Sequence, residues 1–188
     1  MNGCKEMANN LGKVFERNFG DSSKKDGFFT YRIKDTDLSF NGNSVSSFTH
    51  TNLCDYFIFA NIVNGLGNLF CIECKSTKYS SMSIETEPEK NENKMIKAHQ
   101  LEGLIEVSLN DGIYCGFVLN FRDEENNTEE TYYMSAKDMS IFLDETHKKS
   151  INKLDCKLRG IKINQKLKRK YYDYDVKTLI DDIVKKGD

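Results

Sequence analysis

The chain has 188 residues with 27 Lys and Arg against 29 Asp and Glu, a formal net charge of −2. That length suits one domain with a sizeable core, and the near balance of charge excludes a globally basic polyanion binder. No run of about 18 apolar residues occurs and the amino terminus lacks the basic-then-apolar order of a signal peptide, so a membrane span is not expected and a cytoplasmic setting is.

In chain order, Leu11, Val14, Phe15 and Phe19 fall at helical spacing, with Gly20 as the expected stop. FFTYRIK (28–34) is rich in β formers and reads as a strand. The polar stretch 35–52 reads as loop. DYFIFANIV and LGNLFCIECKS form an expected hairpin around Asn64-Gly65. After a polar connection containing Pro88, MIKAHQLEGLIEVSLND is amphipathic, with Ile96, Leu101, Leu104, Ile105 and Val107 on or near its inner side. GIYCGFVLNFR and TYYMS read as strands around the acidic turn DEENNTEE, and Ser135 as the cap of a helix running to Glu145. KINQKLKRKYY is a strand or extended segment, and DVKTLIDDIVKK a closing helix. The expected fold class is α/β, a mixed β-sheet flanked by helices, in a single domain over 1–188.

Six cysteines are present, four of them (Cys54, Cys71, Cys74, Cys115) inside apolar runs where a thiol behaves as a small hydrophobe. Cys71-x-x-Cys74 on a strand sends its two sulfurs to opposite faces, so a shared zinc ion is not expected. His50, His99 and His147 are scattered and offer no ligand set.

Glu73 and Lys75 stand two apart on a predicted strand and share a face, while Asp55 opens the partner strand. A hairpin therefore brings the Asp55 and Glu73 carboxylates to one sheet end. Two such acids repel unless one protonates or a cation joins them, and an all-oxygen set selects Mg²⁺ or Mn²⁺. The Cys74 carbonyl offers a third oxygen, and Lys75 is poised to orient water. Those are the parts of metal-assisted phosphodiester hydrolysis. A bare E-x-K is more often a surface ion pair; the acid on the neighbouring strand is what shifts the balance.

Acid, strand, turn and strand ending Glu-x-Lys resembles the PD-(D/E)xK nuclease core, with Asn52-Leu53-Cys54-Asp55 standing where the family has Pro-Asp. Four blocks in order resemble the RecU-type Holliday junction resolvases, in their shorter phage-type form: GKVFERNF (12–19), TNLCDYF (51–57), CIECKS (71–76) and HQLEGL (99–104). The resemblance implies a restriction-endonuclease-like fold and a Mg²⁺-dependent endonuclease acting in DNA recombination and repair. Asp55 and Glu73 would be its metal ligands and Lys75 would position the attacking water. Glu16 would be a further acid from the first helix, and Gln100 a supporting polar group. It also implies a homodimer acting on branched DNA, since two symmetric cuts need two sites. The region matching the family's protruding stalk, 35–51, is short here. The alternatives are a nuclease for flaps, forks or duplex DNA, or a non-cleaving recombination accessory.

From Lys148 to Lys170 the chain has ten basic residues and one acid, whereas from Glu85 to Glu130 it has twelve acids and four bases. The basic band is the expected DNA-backbone contact, through Arg159, Lys162, Lys166, Lys168 and Arg169, joined by Arg32 and Lys34. Leu158, Ile161, Ile163 and Leu167 are expected to anchor the segment and leave those bases free.

Overall fold

The computed structural model describes residues 3–33, 52–61, 67–86 and 93–187. It opens with helix α1 (Gly3–Lys25), which runs straight through the expected stop at Gly20. Gly20 lies instead where the helix crosses Tyr56: a Cβ there would stand 2.6 Å from the ring and its hydroxyl. The helix ends at Lys25, and the chain turns away at Gly27, whose φ of +92° only glycine adopts without strain. Ser22 and Ser23 in its last turns are buried, and their hydroxyls find partners in the Asn18 carbonyl (2.8 Å) and the Thr30 hydroxyl (2.7 Å).

The main sheet has six strands in the order β1 (Phe29–Arg32), β2 (Tyr56–Asn61), β3 (Gly67–Thr77), β5 (Ile113–Asp123), β6 (Thr128–Ser135), β8 (Ile161–Ile163). β3 and β5 pair in parallel; every other pairing in this sheet is antiparallel. A parallel pair needs a crossover, and the chain supplies one through β4 (Ser81–Ser83) and helix α2 (Ala98–Ser108). The expected β2–β3 hairpin is present, although its turn at Asn64-Gly65 lies outside the described residues. The expected α/β class holds: a mixed sheet with helices on both faces.

The period-two alternation of the central strands builds two cores. Cys71, Phe117, Leu119, Tyr132 and Met134 face one side, where α2 and helix α3 (Ala136–Thr146) cover them with Leu104, Met139 and Phe142. Phe70, Ile72, Val118 and Tyr133 face the other, where α1 brings Phe15 and Phe19. The closing helix α5 (Val176–Lys186) adds Leu179, Ile180 and Ile183 to that second side. Ser135 caps α3 as expected, accepting the Asp138 N–H at 3.1 Å.

Several elements depart from the expectations. Ile96 is buried, but in a parallel bridge to Ile84 ahead of α2 rather than on the helix. β4 pairs with a short β7 (Ser150–Asn152) in a separate two-stranded sheet. The basic band folds into helix α4 (Lys153–Arg159), strand β8 and a hairpin of β9 (Gln165–Leu167) with β10 (Tyr172–Tyr174). α4, which the sequence reading missed, starts with an Asn-x-x-Asp capping box. The Asn152 side chain accepts the Asp155 N–H at 2.9 Å, and the Asp155 carboxylate accepts the Asn152 N–H at 3.1 Å. Ile163 anchors the band as expected and Ile161 packs partly against the second core, while Leu158 is 75% and Leu167 52% exposed. No helix among the described residues is long and apolar enough to cross a membrane.

Two glycines of α1 test this packing. A Cβ at Gly12 meets nothing within 4 Å, so Gly12→Ala is expected to stabilise by roughly 1 kcal/mol through helix propensity alone. Gly20→Ala is expected to cost roughly 1–3 kcal/mol against the Tyr56 ring. Urea melts of the two variants check the opposite signs.

Candidate active site

The β2–β3 ladder ends at Tyr56 opposite Ile72, and its last bond runs from the Asp55 N–H to the Ile72 carbonyl at 3.1 Å. There the strands part. The Asp55 carbonyl accepts the Ile33 N–H at 2.9 Å, turning that backbone toward the β1 side. β3 continues to Thr77 with β5 alone as its neighbour. One edge of β3 is thus stripped of its strand partner beyond Ile72.

The Asp55 side chain fills that fork, with Oδ2 accepting the Cys74 N–H at 2.7 Å. The N–H and C=O of one residue in an extended strand point the same way. The Cys74 carbonyl therefore faces the same opening as the Asp55 carboxylate.

Glu73 and Lys75 project together from β3, and Glu73 is only 4% exposed. Its Oε1 takes two bonds, from Lys75 Nζ at 2.7 Å and from Gln100 Nε2 at 2.6 Å. Gln100 is oriented by the start of α2, because its side-chain oxygen accepts the Lys97 N–H at 3.2 Å and so turns the amide nitrogen toward Glu73. Glu85, which the sequence did not single out, pins the same helix end by accepting the Ala98 N–H at 3.1 Å. Glu16 reaches the site from α1 on the opposite sheet face, with Oε1 bound to Arg32 Nε at 2.6 Å. The Tyr56 hydroxyl donates to the Glu16 carbonyl at 3.1 Å. The five candidate chemical residues, Glu16, Asp55, Glu73, Lys75 and Gln100, thus converge on one end of the β2–β3 hairpin, with helices reaching in from both faces.

Burial, then the negative fields of Glu73 and Glu16, push the Asp55 carboxyl up to about 7, against the pull of the Cys74 N–H and Lys75. The site is short of positive charge. Among the described residues no three Asp, Glu, His or Cys side chains form a ready-made metal cage. Two carboxylates and one carbonyl nevertheless fit Mg²⁺, which keeps several waters and takes only one or two protein carboxylates. Asp55, Glu73 and the Cys74 carbonyl are the groups that would hold it. The Cys74 thiol turns away into the second core while Cys71 sits in the first, so the Cys-x-x-Cys pair is divided between the two faces.

The candidate DNA-binding residues lie in three places. Arg32 belongs to the cluster itself, and Lys34 falls outside the described residues. The bases of the 148–170 band lie from just ahead of β7 to the β9–β10 hairpin, and five of them are not free: Lys148 pairs with Asp155 and Lys153 with Glu130, each at 2.8 Å, and three of the candidate contacts are also engaged. Arg159 pairs with Glu145 at 2.7 Å, Lys162 with Glu130 at 3.4 Å and Lys168 with Asp173 at 3.7 Å. Lys166 and Arg169 have no carboxylate partner among the described residues. A further polar group went unread in the sequence. Buried Asn120 on β5 accepts from Ser76 at 2.7 Å, and Arg122 Nε donates to the same Ser76 hydroxyl at 3.1 Å. The signal was there, as an Asn and an Arg ending the apolar run YCGFVLNFR.

Asp55 gives the site a measurable pH signature. Its folded pKa is raised above the ordinary carboxylate value, so its contribution to stability is full at low pH and lost as pH rises through about 7. Asp55→Asn keeps an acceptor for the Cys74 N–H and removes the charge. In metal-free buffer it is expected to raise stability by roughly 1–3 kcal/mol at pH 8 and by nothing near pH 4. Thermal melts at both pH values read this difference.

No family model matches the chain. Among solved structures it is similar to Hjc, a Holliday junction resolvase of Archaeoglobus fulgidus, with a TM-score of 0.47 and 20% identity over 80% of this chain and 95% of that one. Among curated proteins it is similar to the SPbeta prophage-derived uncharacterized protein YotM of Bacillus subtilis (strain 168). The two are 32% identical over 193 residues, which cover 95% of this chain and 89% of the other. On that nearly full-length likeness, the chain belongs to the family of this SPbeta prophage-derived protein.

Proposed function

We propose that the protein is a Mg²⁺- or Mn²⁺-dependent DNA endonuclease of the PD-(D/E)xK type, a RecU-like resolvase of four-way junctions. The observation that carries this reading is the convergence of Asp55, Glu73 and Lys75 at the strand fork, with the Cys74 backbone facing the same opening. An ordinary surface ion pair does not account for it. Glu73 is buried, a second acid is held beside it at an energetic cost, and an amide on a separate helix is oriented to support it.

A bound divalent cation supplies Lewis-acid activation and neutralises charge on the phosphodiester. The chain's own groups supply orientation. Lys75 Nζ, tethered to Glu73 Oε1, stands where an ammonium aligns the attacking water and stabilises charge gathering on the phosphate oxygens. Gln100 fixes the Glu73 carboxylate, so that Lys75 and Glu73 keep one geometry. Arg32 neutralises Glu16 next to the incoming backbone. Lys166 and Arg169, with no acidic partner among the described residues, suit sequence-blind phosphate contacts.

Resolution by paired cuts calls for a two-fold dimer. A strip of exposed aromatics on the β1–β2 edge supports one: Phe29 is 68%, Tyr31 56% and Phe59 43% exposed, and Phe29 and Phe59 are directly opposed across the strands.

Incubation with a labelled four-way junction in Mg²⁺ is expected to yield symmetric nicks, and none in EDTA. Asp55→Asn and Glu73→Gln are expected to abolish cleavage, and Lys75→Ala to slow it at least about a hundredfold, with junction binding retained. Full activity in either carboxylate variant, or cleavage in EDTA, overturns the assignment. Fork, flap and duplex substrates in the same assay separate a resolvase from a nuclease for another DNA form.

Replacing Lys166 and Arg169 together by Ala is expected to weaken junction and duplex binding alike. The salt dependence is expected to flatten by roughly one unit of slope for each phosphate that is no longer neutralised. An unchanged slope measured by anisotropy argues for a merely solvated face.

A further inference from the structure

We propose that the cleft between α1 and the β9–β10 hairpin holds an unpaired nucleotide of the DNA strand bordering the candidate catalytic cluster. The substrate class rests on the nuclease reading above; the subsite itself rests on the following geometry.

The cleft encloses about 360 Å³, within the range of small-ligand sites and too little for a duplex. Leu11, Val14 and Phe15, on one face of α1, line it, as does Tyr171 of the β9–β10 turn. The floor is aromatic. Phe15 meets Tyr174 edge to face at 5.7 Å between centroids, and Tyr172 lies tilted against Tyr174 at 6.5 Å. At the mouth Leu11 is 44%, Leu167 52% and Tyr171 51% exposed, an apolar opening that the described fold leaves uncovered.

The lining carries three acids and three bases, so any pull on a phosphate is local to the cations that have no ionic partner among the described residues. Each acid of the cleft is already engaged. Asp123 accepts from the Asn126 N–H at 3.1 Å and its amide at 2.8 Å; Glu124 takes Arg122 at 3.1 Å; Glu129 accepts the Tyr174 hydroxyl at 3.0 Å. Arg169 and Lys170 also line the cleft and have no carboxylate partner among the described residues. Cations without an ionic partner beside one open aromatic ring, the half-exposed Tyr171 over a buried aromatic floor, are a combination that binds single strands, with a base stacked and its phosphate paired. A stable double helix offers no free base face to such a slot.

Two covalent neighbours tie the cleft to the catalytic cluster. Phe15 in its wall precedes Glu16. Arg122, also in its lining, donates to Ser76, the residue after Lys75. A strand whose phosphate lies at the fork thus has an unpaired neighbour within reach of the slot, which is how a branched substrate would be told from an intact duplex.

Fluorescence anisotropy with a labelled oligo(dT), against a duplex of equal length in EDTA, tests this directly. Tyr171→Ala is expected to weaken oligo(dT) binding about tenfold and to leave duplex binding within twofold, while Tyr171→Phe behaves as wild type because stacking needs only the ring. A 5-iodouracil oligonucleotide is expected to photocrosslink at Tyr171. Absence of oligo(dT) binding by the wild type, equal losses on both substrates, an unchanged Tyr171→Ala, or crosslinks confined to other peptides overturns the proposal. Tyr171 is half exposed in a turn, and circular dichroism verifies that the variants fold. Junction nicking by the wild type is measured alongside: its absence removes the nuclease reading and leaves the comparison of single strand with duplex intact.

Discussion

Everything at the candidate site follows from one hydrogen bond, the Asp55 carboxylate accepting the Cys74 N–H where β2 leaves β3. A central strand with one edge uncovered carries backbone groups that must be satisfied by something other than a ladder. Had β2 continued in register, Cys74 would be an ordinary member of a sheet and no opening would exist. The separation exposes the peptide, and the side chain of the last paired residue takes the freed donor. That bond holds a carboxylate where its neighbours repel it. The cost of assembling acids at this point is met by structure on all sides: the two-cored sheet, a helix from each face and the crossover that carries Gln100 back to β3.

The supporting groups divide the work. Lys75 and Gln100 act on the same oxygen of Glu73, one by charge and one by a directed amide. Arg32 answers Glu16 from the neighbouring strand. Asp55 receives a backbone N–H, which lowers its energy as an anion without cancelling its charge. The imbalance is therefore concentrated on one carboxylate, at the place where the Cys74 carbonyl also faces the opening. In the proposed reading, that concentration is what a hard divalent cation responds to.

The central part of this arrangement was legible in the sequence because period-two patterning fixes which side chains share a face. Glu73 and Lys75 on one side, and Ile72 on the other, follow from their positions alone. The hairpin was legible because two β-rich runs flank a glycine turn. What the sequence did not disclose depends on contacts between distant segments. Gly20 looked like a helix stop, since a glycine in a helix carries no visible reason until the Tyr56 ring is laid across it. Ile96 fitted a helical period but was taken by a strand bridge. The basic band read as one free surface, yet acids from three other segments, Glu130, Glu145 and Asp173, neutralise much of it. Counting charges along a chain cannot register partners brought in by the fold.

The crossing of α1 over Tyr56 has a consequence for the chemistry as well as for packing. Glu16 and Gly20 lie one helical turn apart, and the same phenol touches both, donating to the carbonyl of the first and lying flush against the second. The ring therefore acts as a spacer gauge between helix and sheet. Its thickness sets how close the Glu16 carboxylate comes to Asp55, the residue next to Tyr56 in the chain. A bulkier spacer, or a methyl group at position 20, would lift the helix and weaken the field of one acid upon the other. The acidity of Asp55 is thus adjustable from an uncharged contact that takes no part in holding a cation or a phosphate.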